Sequence, residues 1–153
     1  MTNQNGIIFE NWENIIMHLP YCFQGRRTFI EIYAQENQHL LEQTAGENTK
    51  EKIKALAKTA AYQDLVTSKI YPTEIASGAV GNIYTGSIFL GMLSALYYST
   101  TADKELDSEK VGFIAYGSGS KSKVFEAEVS PKWQSAIEKV KLFETLEQAT
   151  AIH

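Results

Sequence analysis

The chain has 153 residues, of which 44% are hydrophobic, enough for one ordinary core, so a single α/β or α+β domain spanning 1–153 is expected. A formal net charge of −4 spread along the chain argues against a broad basic surface for nucleic acid. Cys22 has no cysteine partner, no cationic and apolar leader opens the chain, and the apolar stretch at 88–98 falls short of the roughly 20 residues a bilayer crossing needs. A reducing, cytoplasmic setting away from the membrane is therefore expected.

Gly6-Ile7-Ile8-Phe9 offers a short stub of extended chain. Ile15-Ile16-Met17-His18-Leu19 reads as a buried strand, β-branched at its start and stopped by Pro20, with His18 near its end. From Gly25 to about Glu42 the apolar positions Phe29, Ile30, Tyr33, Leu40 and Leu41 predict a helix. A second helix, from about Thr49 to Val66, gathers Ile53, Leu56, Ala57, Ala60 and Leu65 on one stripe, with lysines outside it. The segment from Tyr71 to Gly81 has a proline, two glycines and little periodicity, and is read as a loop.

The next helix, from about Tyr84 to Ser99, is apolar nearly all round, and Gly86, Ser87, Gly91 and Ser94 leave room for close backbone contact; it belongs in the centre of a layered domain. Beyond a charged connection, 111–116 and 124–129 predict two strands joined as a hairpin by the glycine- and serine-rich 117–123. Pro131 then opens a helix through Trp133, Ile137 and Val140, with a further helical stretch near Leu146.

A histidine at a strand end, followed by a proline turn, can be held with its ring in a cleft and act near pH 7 as a proton donor or carbonyl-polarising group; a structural histidine is the alternative. Asn82, before a helix, either caps backbone N–H groups or aims its amide at a bound carbonyl. Gly117-Ser118-Gly119 either brings backbone amides to a thioester or phosphate or simply turns a hairpin. It has neither the third glycine of a dinucleotide fingerprint nor the Gly-Lys-Ser/Thr of a phosphate loop. His18, His39 and His153 stand far apart with no ligand cluster, so no metal is expected. Cys22 is either a thiolate paired with His18 or an inert buried thiol. Arg26 and Arg27 are either phosphate ligands or solvated surface cations.

Three ordered segments, His18-Leu19-Pro20-Tyr21 with Gly25-Arg26-Arg27, then Gly81-Asn82-Ile83-Tyr84-Thr85-Gly86-Ser87, then Phe113-Ile114-Ala115-Tyr116-Gly117-Ser118-Gly119, resemble motifs of the hydroxymethylglutaryl-CoA synthases of the thiolase superfamily. The resemblance covers almost the whole chain but only the C-terminal half of that family's fold. It implies an α/β, thiolase-like layered fold with a mixed sheet packed against helices.

By resemblance, the family condenses acetyl and acetoacetyl groups through a cysteine that is acetylated, a glutamate that moves protons and a histidine that engages the acetoacetyl thioester. His18 matches the histidine. Asn82, Tyr116 and Ser118 match positions at the acyl pocket, and Arg26 and Arg27 match basic residues that would meet coenzyme A phosphates. Phe23 stands where many members carry a basic residue. The family's cysteine and glutamate have no matching segment here, which implies a missing N-terminal half and an inactive isolated chain.

The substrates implied are acetyl-CoA and acetoacetyl-CoA, with no cofactor, in the mevalonate route to isoprenoids. The alternatives are acetoacetyl groups on an acyl carrier protein during polyketide β-branching, or a noncatalytic thiolase-fold pairing module. A homodimer is expected from the superfamily.

Overall fold

The structure is a computed structural model and describes residues 2–3, 6–117 and 121–149. A two-stranded antiparallel ribbon, β1 (Thr2–Asn3) and β2 (Gly6–Ile7), leads into a 3-10 turn at Ile8–Asn11. The central sheet is β3 (Asn14–Met17), β4 (Lys110–Gly117) and β5 (Lys121–Glu128), in that spatial order. β3 runs parallel to β4, and β4 antiparallel to β5, giving the mixed sheet expected of this α/β chain.

Alternation along the strands divides the interior into two cores. Ile15, Met17 and Ile114 join Phe9, Trp12, Phe29 and Tyr33 on one side, while Ile16, Val111 and Phe113 join Leu106, Trp133 and Ile137 on the other. The first core is covered by α1 (Gln24–Glu36), α3 (Thr49–Leu56) and α4 (Ala60–Leu65). The second is covered by α6 (Gly86–Thr101) and α7 (Trp133–Val140).

The helices predicted over 25–42 and 49–66 are each broken. α1 ends at Asn37, whose side-chain amide and backbone N–H both donate to the Tyr33 carbonyl, and α2 (Gln38–Gln43) follows. α3 starts under an Asn48 cap, and α4 restarts behind Thr59, whose hydroxyl accepts the Tyr62 N–H. Polar side chains that bond to nearby backbone compete with continued helix at both breaks.

The loop expected over 71–81 is instead α5 (Tyr71–Val80), entered directly from a π-helical turn at Val66–Ile70. Pro72 lies in the first helical turn, where a missing N–H costs nothing. The Ser94 hydroxyl of α6 donates to the Pro72 carbonyl at 2.7 Å and accepts the Ala76 N–H at 3.2 Å, tying the two helices together. Gly81 ends α5 with φ 85°, a conformation that favours glycine. α6 begins at Gly86, and α8 (Leu142–Gln148) closes the described chain.

No helix of the described residues is long and apolar enough to cross a membrane. The expectation that α6 is buried all round is met only on one side: Ser87, Leu90, Gly91, Ser94 and Ala95 are buried, but Phe89 is 61% exposed.

Trp12 locks the β3–β4 register. Its indole lies against Gly112, where an added Cβ would fall 1.9 Å from the ring. Gly112→Ala is therefore expected to cost about 3 kcal/mol or more through overpacking, measured as a lowered midpoint of denaturant unfolding.

Candidate active site

His18 follows β3 directly, and its backbone N–H continues the parallel ladder by donating to the Ile114 carbonyl at 3.1 Å. Its ring is partly buried. Tyr116, two residues further along β4, packs its ring against the imidazole in a T-shaped contact, with centroids 4.9 Å apart and an interplanar angle of 81°. Desolvation raises the Tyr116 phenol above its ordinary pKa, so it stays protonated at neutral pH.

The third neighbour comes from the start of α6. Ser87 is fully buried; its Oγ accepts the Leu19 N–H at 3.0 Å and lies 3.2 Å from His18 Nδ1. The first motif thus meets a residue from each of the other two: Ser87 from the second and Tyr116 from the third. In the sequence Ser87 stands out as a small residue allowing close packing and as the end of the second motif, with nothing to tie it to His18. Its approach to His18 arises from a contact between residues 69 positions apart, which spacing along the chain does not reveal.

Asn82 is exposed, and its Oδ1 accepts the Tyr84 N–H at 2.8 Å, a local turn that supports the left-handed Tyr84 (φ 52°) ahead of α6. This is a relative of the capping alternative, displaced from the helix start, where Thr85 occupies the cap position. Ser118 lies outside the described residues.

Arg26 and Arg27 separate in role. Arg26 Nε donates to Glu74 Oε2 at 3.1 Å, its Nη2 forms an ion pair with the same oxygen, and its guanidinium covers the Phe23 ring at 4.6 Å. Arg27 is exposed. A groove of about 590 Å³ between α1, α3 and α4 is lined by Arg26, Arg27, Lys50 and Lys54 together with the carboxylate of Glu31, with Ile30 and Ile53 among its apolar walls. His18 does not line it.

Glu74, which the sequence reading left within a loop, is the buried anion of the region, with a side chain 1% exposed. An isolated carboxylate there would be costly, so the Arg26 pair ties α5 to α1 beside the histidine segment. Cys22 is near this pair: burial, and then the Glu74 carboxylate, push its thiol pKa up, which favours the inert-thiol alternative over a nucleophile. Among the described residues, no cluster of His, Cys, Asp and Glu could hold a metal ion.

A parallel-plus-antiparallel sheet between helical layers, with a histidine at a strand end flanked by a helix start and a later strand, defines an α/β protein of the layered thiolase-like class. Solved structures share this fold. Over 97% of this chain and 37% of the other, it superposes on "MvaS in complex with 3-hydroxy-3-methylglutaryl coenzyme A" with a TM-score of 0.70 at 22% identity. Over 98% of this chain and 32% of the other, it matches "PksG, a HMG-CoA Synthase from Bacillus subtilis" with a TM-score of 0.72 at 15% identity. The curacin-pathway HMG synthase in complex with holo donor-ACP gives a TM-score of 0.68 at 15% identity, covering 94% of this chain and 30% of that one.

Residues 2–151 match the family described as Hydroxymethylglutaryl-coenzyme A synthase C terminal, and the chain belongs to that family. It is similar to the hydroxymethylglutaryl-CoA synthase of Enterococcus faecalis, with 25% identity over 136 residues, 89% of this chain and 29% of that protein. It is also similar to that of Haloferax volcanii, with 33% identity over 97 residues, 63% of this chain and 22% of that protein. The chain thus spans under a third of the length of these curated relatives.

Two outcomes follow from the Glu74 environment. Replacing Arg26 by Met leaves a carboxylate that is 1% exposed without its cation, and unfolding measurements should show a loss of about 3 kcal/mol; this is the low end for a broken buried pair, because Arg26 is itself 30% exposed. Alkylation of Cys22 at pH 8 should run slower than that of an unperturbed cysteine peptide, since a raised pKa lowers the thiolate fraction, and Glu74→Gln should speed it.

Proposed function

We propose that this chain is the histidine-bearing portion of an acyltransferase that condenses acetyl and acetoacetyl thioesters to a hydroxymethylglutaryl thioester. The observation that carries the reading is the convergence on His18: Ser87 Oγ at 3.2 Å and the Tyr116 ring at 4.9 Å, each from a different matching segment. In this role His18 hydrogen-bonds to the acetoacetyl ketone or thioester oxygen and stabilises the negative charge that develops as the acetyl carbanion attacks. Tyr116 borders the acyl end beside His18, and Asn82 is assigned to it by the motif resemblance.

The phosphate-bearing end of the substrate is assigned to Arg27, supported by Lys50 and Lys54 across the groove, because the Arg26 guanidinium is already engaged by Glu74. A terminal phosphate of coenzyme A and the acidic surface of an acyl carrier protein would both suit such a groove. Coenzyme A is the leading reading, since the groove is concave and partly apolar, as a site for a small ligand is. The acylated cysteine and the proton-moving glutamate of the family have no matching segment in this chain, and on this reading the chain by itself does not catalyse the condensation.

In the full parent protein, which joins this chain to a cysteine- and glutamate-bearing portion, hydroxymethylglutaryl-CoA should form from acetyl-CoA and acetoacetyl-CoA, and His18→Ala should lower kcat by about 10²- to 10⁴-fold while circular dichroism stays native-like. Full activity in His18→Ala would remove the catalytic role, and turnover only with carrier-bound acetoacetyl groups would move the assignment to the carrier-dependent class. Binding to a partner polypeptide with no condensation at all would leave a noncatalytic pairing module.

A further inference from the structure

The hydrogen bonds of Ser87 specify more than the position of the His18 ring. A serine hydroxyl has one proton to donate and lone pairs with which to accept. Ser87 Oγ already accepts the Leu19 N–H at 3.0 Å. Among the described residues, the hydroxyl makes no hydrogen bond to a carbonyl; its contacts are the Leu19 N–H and His18 Nδ1. The hydroxyl is sealed from solvent, and the remaining acceptor in contact with it is His18 Nδ1, at 3.2 Å.

We propose that Ser87 is a positioning residue that donates its hydroxyl proton to His18 Nδ1 and thereby fixes the neutral imidazole as the Nε2–H tautomer. The ring then presents an N–H donor at Nε2. A donor is what a ketone or thioester oxygen requires, whereas the opposite tautomer would offer that oxygen a lone pair and repel it. The surroundings support the same geometry: the His18 N–H is anchored on Ile114 O at 3.1 Å, and the Tyr116 ring packs against the imidazole with centroids 4.9 Å apart. The Leu19 N–H engages a lone pair of the same oxygen, which leaves the hydroxyl proton for the imidazole.

The inference rests on the proposed role of His18, and the experiment separates the two. Long-range ¹H–¹⁵N correlation spectra of the native protein labelled at histidine read the tautomer directly, with His18→Gln assigning the signals, at a pH where the ring is neutral. The expected result is a protonated Nε2 and an unprotonated, hydrogen-bonded Nδ1. Ser87→Ala should move the Nδ1 resonance and reduce kcat by about tenfold to a hundredfold with KM nearly unchanged, and Ser87→Thr, which keeps the hydroxyl, should recover most of the loss.

A wild-type spectrum with Nδ1 protonated overturns the inference, and so does Ser87→Ala with an unmoved Nδ1 signal and wild-type kcat. If Ser87→Ala does not fold, the wild-type spectrum still decides. Should His18→Ala retain condensation while the Nε2–H tautomer is found, the catalytic reading falls and the tautomer assignment stands.

Discussion

The parallel pairing of β3 with β4 is the constraint on which the site depends. Asn14, Ile15, Ile16 and Met17 lie opposite Val111, Gly112, Phe113 and Ile114, and the ladder extends one residue further through the His18 N–H. A slip by one residue would exchange Ile15 and Ile16 between the two cores and carry His18 away from Tyr116. Trp12 against Gly112 opposes such a slip, because any side chain brought to that position would collide with the indole. Register, core and the surroundings of His18 are thus set by the same contacts.

Around that sheet, buried hydroxyls do the joining that apolar contact alone could not specify. Ser87 and Ser94 are both fully buried and lie seven residues apart on one face of α6. One bridges to the histidine segment and the other bonds to Pro72 and Ala76 in α5. Glu74, on the same α5, reaches the other way to Arg26 on α1. Helices from both faces of the sheet are therefore referenced to the end of β3 by directional bonds as well as by packing, which suits a site that must hold a ring in one orientation.

Legibility in the sequence followed the range of the forces involved. The strands expected over 15–19, 111–116 and 124–129 were readable as short runs rich in β-branched and aromatic residues, and are found at 14–17, 110–117 and 121–128; α6 was readable because its apolar run is long. α5 was not, because Pro72, Gly78 and Gly81 look like punctuation until one sees the proline in a first turn and Gly81 at a C-terminus. The breaks at Asn37 and Thr59 depend on single side-chain bonds that leave the apolar stripe uninterrupted. At the site, His18 and Tyr116 stood within motifs, and the structure brings them into ring contact. Ser87 stood in a motif too, but its partner lies 69 residues away, and the pairing of Arg26 with Glu74 spans 48.

The account comes down to one oxygen atom and one ring nitrogen. A crystal structure of the native protein with an acetoacetyl thioester, or a stable analogue of one, tests it most directly. The account predicts His18 Nε2 about 3 Å from the ketone or thioester oxygen, with Ser87 still on Nδ1. A ligand whose acyl group lies elsewhere, leaving the imidazole without contact to any of its oxygens, would contradict it.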